Sequence, residues 1–117
     1  MLIRVLIVDD DTGFRRMMRK VLALRGYDVA GEAATLAEAR VAIRETSPDA
    51  VLLDVTLPDG NGILFAEELT SDPRVPRVVL TSTDPEAGPA GLVRRCGAAG
   101  FIAKTELVGT DLGPYLG

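Results

Sequence analysis

Five short, almost uninterrupted apolar runs dictate what this chain can fold into: residues 3–8, 28–33, 50–53, 77–80 and 101–103. A strand with one wet face alternates apolar and polar residues. Most of these runs do not alternate, so most are expected to be buried on both faces, as in a parallel sheet. Parallel neighbours need crossover connections, and helical patterns fill the gaps. Phe14, Met17, Met18, Val21 and Leu22 fall at i, i+3, i+4, i+7 and i+8, one apolar helix face, with Gly26 following as a stop signal. Thr35 with Glu38 three residues on spells a capping box for a second helix burying Leu36, Ala39 and Ile43 and ending before Ser47-Pro48. Ile63, Ala66 and Leu69 mark a third, closed by Asp72-Pro73.

The last two helices are expected to be weak. Gly88, Pro89 and Gly91 interrupt the fourth, leaving a short helix to Cys96 with Pro89 at its first position. Gly109, Gly113 and Pro114 leave the fifth poor or truncated. Five strands alternating with five connections make a doubly wound α/β fold. At 117 residues the chain fits one domain, residues 1–117.

Composition removes several chemistries. The chain has no His and one Cys, which excludes an imidazole base or phospho-carrier, a thiolate metal cluster and an intrachain disulfide. Cys96 reads as a packing residue at an apolar helix end. Thirteen Lys and Arg against seventeen Asp and Glu give a net charge of −4, which argues against a nucleic-acid-binding surface. No apolar run approaches a bilayer span and the first residues enter a strand pattern directly, so the expected location is the cytoplasm, with no membrane contact.

In doubly wound sheets ligands sit beyond the carboxyl ends of the strands. There the first run delivers Asp9, Asp10 and Asp11, the third Asp54, the fourth Thr81, Ser82 and Thr83, and the fifth Lys104. Any one has a bland explanation: Asp10, Asp11 or Thr12 can cap the first helix, and a lone lysine is usually solvated. Four strands bringing compatible groups to one edge is the stronger signal. Clustered carboxylates repel unless a hard divalent cation sits among them, and few oxygen ligands with room for water suit Mg²⁺. Asp54 beside such a cation is an oxygen nucleophile, for which phosphoryl transfer is the natural chemistry, with Lys104 and Thr81 as counter-charge and donor.

Val8-Asp9-Asp10, Leu53-Asp54-Val55-Thr56-Leu57-Pro58 with Gly62, Val79-Leu80-Thr81-Ser82 and Phe101-Ile102-Ala103-Lys104 together resemble the response-regulator receiver domains of two-component systems. The resemblance spans residues 3 to about 108. It implies a flavodoxin-like (βα)5 fold and a signalling switch rather than an enzyme. Asp54 would accept a phosphoryl group from a sensor histidine kinase. Asp9, Asp10, Asp54 and the backbone carbonyl of Thr56 would hold Mg²⁺. Thr81 would hydrogen-bond the phosphoryl group, and Lys104 would bridge to it. Phe101 would be the aromatic switch moving with Thr81, altering partner affinity on the face of fourth helix, fifth strand and fifth helix. Thr56 and Thr83, two residues beyond Asp54 and Thr81, would border the phosphoryl group. The chain is expected as a monomer or weak homodimer.

Thr105 stands where that family usually has proline after a cis bond, yet Lys104 is still expected to reach the acidic pocket. Two other readings compete. Asp9-Asp10-Asp11-Thr12 also resembles the opening motif of haloacid-dehalogenase-type phosphohydrolases, with Asp9 as nucleophile and Asp11 as acid/base, which would leave Asp54 idle. A degenerate receiver serving only as a binding module is the other. A calcium loop over residues 54–62 fails at Pro58, and no Gly-rich nucleotide loop with its lysine is present.

Overall fold

The computed structural model describes residues 2–72 and 76–117. Strands β1 (Arg4–Val8), β2 (Asp28–Ala33), β3 (Ala50–Asp54), β6 (Arg77–Ser82) and β7 (Gly100–Ala103) form one sheet in the order β2-β1-β3-β6-β7, every neighbouring pair parallel. Two-residue strands β4 (Thr56–Leu57) and β5 (Gly60–Asn61) form a small antiparallel ladder just past β3, which the apolar pattern had not announced.

The period of two divides the sheet into two cores. Leu6, Val8, Val51, Leu53, Val78 and Leu80 face one cluster with α2 (Leu36–Thr46), α3 (Gly62–Thr70) and α4 (Ala90–Arg95). Val5, Ile7, Ala50, Leu52, Val79 and Ile102 face the other, with α1 (Thr12–Leu24), the 3-10 helix Lys104–Gly109 and α5 (Gly113–Leu116). The three central strands are buried on both faces as expected, whereas edge strand β2 is only partly so.

Local chemistry sets the helix limits. Asp11 caps α1, its Oδ1 accepting the Gly13 and Phe14 amides at 2.9 and 3.3 Å. Met18 and Leu22 are buried on the α1 face, but Met17 is exposed; it lies at the margin of the stripe. Thr35 caps α2 by accepting the Glu38 amide at 3.1 Å, and the return arm of Glu38 takes the Ala34 amide at 3.5 Å. Helix α2 stops at Ser47, whose φ of 46° is left-handed, ahead of Pro48. Asn61 caps α3. The expected stop at Pro73 lies outside the described residues.

The two weak helices are short. Helix α4 starts at Ala90, with Pro89 as its N-cap rather than its first residue, and ends at Arg95. The chain after β7 forms a 3-10 helix and then the four-residue α5, with Pro114 in its first turn. Arg25, at the end of α1, fastens this stretch by donating to the carbonyls of Thr110, at 2.6 Å, and Val108. At the other side, the Thr70 hydroxyl at the end of α3 donates to the Cys96 carbonyl at 2.6 Å, joining the far ends of α3 and α4.

Candidate functional site

Strand parity decides where the chemistry collects. Asp9 continues the face of Val5 and Ile7, Asp54 that of Ala50 and Leu52, Thr81 that of Val79, and Lys104 that of Ile102. Four adjacent strand ends thus present their polar groups on the α1 side. Asp54 is in direct register with Thr81.

Asp9, Asp10 and Asp54 each offer a carboxylate oxygen, all within 4.8 Å of one another; Asp9 and Asp54 are buried and Asp10 is exposed. Lys104 Nζ lies 2.6 Å from Asp9 Oδ2 and 3.0 Å from Asp54 Oδ2. Asp54 Oδ1 accepts the Thr56 amide at 3.0 Å, and Asp9 Oδ1 accepts the Asp11 amide at 2.9 Å. Lys104 reaches the acids as expected although Thr105 replaces proline; no cis peptide occurs among the described residues.

Burial lifts the Asp9 carboxyl above the ordinary range; hydrogen bonds from Lys104 and the Asp11 amide oppose it only in part, and the Asp54 charge adds to the rise. For Lys104, burial pulls downward, but the hydrogen bonds to Asp9 and Asp54 outweigh it and the ammonium is held above its usual range. Thr81 is 1% exposed, and its buried hydroxyl has no hydrogen-bond partner among the described residues. A buried orphan oxygen and a carboxylate trio whose Asp10 member is exposed fit a hard cation and an anionic group, both oxygen-ligated.

Not every candidate stands in this cluster. Asp11 is occupied as the α1 cap. Thr83 is exposed, Thr56 is exposed although its backbone amide reaches Asp54, and Ser82 accepts the Asp84 amide at 3.0 Å in a local turn. Phe101 packs partly buried on the opposite face of the sheet. A Cβ on Gly88 would lie 2.3 Å from its Cδ2, so only glycine lets that ring sit there. Gly88, Val93, Phe101 and Tyr115 line a groove of about 290 Å³. Gly62 is likewise pressed on the Asp54 carbonyl, where a Cβ would come within 2.1 Å.

Three contributors escaped the sequence. The Phe14 ring lies under the Lys104 ammonium, with Nζ 4.5 Å from its centroid; its place in an apolar stripe had marked it as plain core. Arg15 donates to the Asp9 carbonyl at 2.6 Å and pairs with Glu32 at 3.0 Å. Asp59, between β4 and β5, accepts the Leu36 and Ala37 amides at 2.8 and 3.0 Å, tying the loop after Asp54 to the start of α2. No local spacing signals a contact across twenty-odd residues.

Comparison with known proteins agrees with this geometry. The family described as the response regulator receiver domain matches residues 5–109. The chain is 37% identical over 102 residues to the chemotaxis protein CheY of Thermotoga maritima, covering 86% of this chain and 84% of that protein. It is 38% identical over 114 residues to the DNA-binding transcriptional activator DevR/DosR of Mycobacterium tuberculosis, covering 95% of this chain but 51% of the activator. A LuxR-family two-component response regulator from Aurantimonas sp. SI85-9A1 has the same fold, with a TM-score of 0.80 at 31% identity over 93% of this chain and 81% of that one.

Proposed function

Because the chain belongs to the response regulator receiver domain family, we propose that residues 1–117 act as one receiver domain, a signalling switch that takes a phosphoryl group onto Asp54 from the phosphohistidine of a sensor kinase. The observation that carries this reading is Lys104 Nζ between Asp9 and Asp54, at 2.6 and 3.0 Å, beside the partnerless hydroxyl of Thr81.

A carboxylate oxygen of Asp54 attacks phosphorus; the O–P bond forms as the N–P bond of the phosphohistidine breaks, and the imidazole nitrogen leaves with the electron pair. Asp9, Asp10, Asp54 and the Thr56 carbonyl would hold Mg²⁺, which supplies charge neutralisation for the incoming phosphoryl oxygens. Lys104, paired with Asp9 and Asp54, adds a second positive charge. The Thr56 amide fixes the plane of the Asp54 carboxylate. Once loaded, the group carries roughly two negative charges and three acceptor oxygens, and Thr81 gains the partner it lacks. Thr81 and Lys104 then settle differently, and Phe101 follows within the space that Gly88 leaves. The surface of α4, β7 and the C-terminal segment changes its affinity for a protein partner accordingly. The net charge of −4 supports a protein rather than a nucleic acid as what this chain itself contacts, and the soluble-type sequence supports a cytoplasmic site of action.

Incubation with Mg²⁺ and a small phospho-donor such as acetyl phosphate is expected to give an acid-stable, base-labile adduct, absent in Asp54→Ala. An adduct that survives in Asp54→Ala and maps to Asp9 would favour a hydrolase-type nucleophile instead. No adduct on the native protein would leave only a binding module.

A further inference from the structure

We infer that Phe14 is a positioning residue for Lys104: its ring takes the third side of the ammonium and holds it over the two carboxylates. The inference rests on the phosphoryl-acceptor reading of Asp54 and names a residue outside the acid, hydroxyl and lysine set.

The ammonium has three N–H donors. Asp54 Oδ2 accepts from it at 3.0 Å, and Asp9 Oδ2 lies beside it as an ion-pair partner at 2.6 Å. On a further side lies the Phe14 ring, with its centroid 4.5 Å away, inside the range where the negative face of an aromatic ring attracts a cation. The lysine side chain is only 13% exposed, so the ring stands where water would otherwise solvate the charge. An aliphatic side chain would exclude the same water without offering the cation anything in return.

Placement of the ring is built into the chain. Asp11 caps α1 through the Gly13 and Phe14 amides, which fixes where Phe14 leaves the first turn. The rest of the ring packs on the core that holds Ile7, Met18 and Ile102. The third acid of the Asp9-Asp10-Asp11 run therefore acts on the site indirectly, through the helix start that carries the ring. Lys104 itself opens a 3-10 helix whose Lys104–Thr105 bond is trans, so the backbone around it differs from the proline-bearing pattern, and the ring supplies a restraint from the side-chain end.

The chain has two lysines, Lys20 and Lys104, which makes the test direct. In protein labelled at lysine, the Cε protons of Lys104 are expected upfield of those of the exposed Lys20, shifted by the ring current. Coincident signals in the native protein would overturn the inference without any variant. Phe14→Leu is expected to remove that shift and slow loading by acetyl phosphate about two- to thirtyfold, the rate equivalent of one cation–ring contact. Phe14→Tyr, which keeps the ring face, is expected to retain both. Equal loading rates for the native protein and Phe14→Leu would sink the positioning role, as would equal slowing in Leu and Tyr. Failure of the native protein to load at Asp54 would instead strike the underlying reading, and the lysine spectrum distinguishes the two.

Discussion

Thr81 shows what a residue of the candidate site costs the fold. Its hydroxyl is buried and partnerless among the described residues, an arrangement that destabilises by roughly 1–3 kcal/mol. Thr81→Val keeps the shape and removes the orphan oxygen. Urea unfolding of the unmodified variant is therefore expected to show a gain of about 1 kcal/mol, while loading of Asp54 slows about tenfold or more for want of a donor. A variant that is both less stable and equally reactive would contradict this account. At this scale the sequence was informative wherever a residue ended a strand: Asp9, Asp54, Thr81 and Lys104 were legible because parity and strand ends place side chains without further knowledge. Phe14 was not, since an aromatic in an apolar stripe looks the same whether its edge meets a leucine or its face meets an ammonium. Asp11 lay between, readable as a cap or as the acid/base of the hydrolase alternative, and it serves as the cap because it sits one residue before the helix.

Among elements, the long apolar ones were readable and the punctuated ones only as weaknesses. Two central strands ran one or two residues further than the apolar runs, because Asp54 and Thr81-Ser82 keep the ladder while departing from the pattern. The β4–β5 ladder was invisible, as two-residue strands have no period to detect. Gly88-Pro89-Gly91 correctly signalled a late, short α4 but gave no hint that Gly88 makes room for Phe101. Gly88→Ala is expected to force that ring out of place at a cost of about 1–3 kcal/mol, seen as a lower denaturation midpoint and displaced Phe101 ring resonances. Unchanged stability with an unmoved ring would show that the segment before α4 yields instead.

At the level of the whole molecule, the chain steps from β1 outward to β2 and then back across to β3, so β1 and β3 are neighbours at the point where strand order reverses. That reversal is why the amino-terminal acids and an aspartate forty-odd residues later share one crevice. The crowding is expected to make the fold sensitive to cation and pH together. With its folded pKa raised by burial, Asp9 lowers stability as pH climbs from the ordinary carboxylate value to the raised one. Mg²⁺ is expected to stabilise the folded form by binding it, by about 1.4 kcal/mol at tenfold excess over its dissociation constant, seen as a higher melting midpoint. Since the ion needs Asp9 deprotonated, this gain is expected to fade with falling pH earlier than for a free aspartate, and to shrink in Asp54→Ala. A pH-independent gain, undiminished in that variant, would mean binding elsewhere. The clasp between Thr70 and the Cys96 carbonyl has a bearing on how any signal leaves this crevice. A rod pinned at its foot pivots rather than slides. If Asp54 is loaded as proposed, the disturbance at the strand ends is expected to emerge as a tilt of α4, widest near Pro89 and vanishing toward Cys96, with the fulcrum supplied by Thr70.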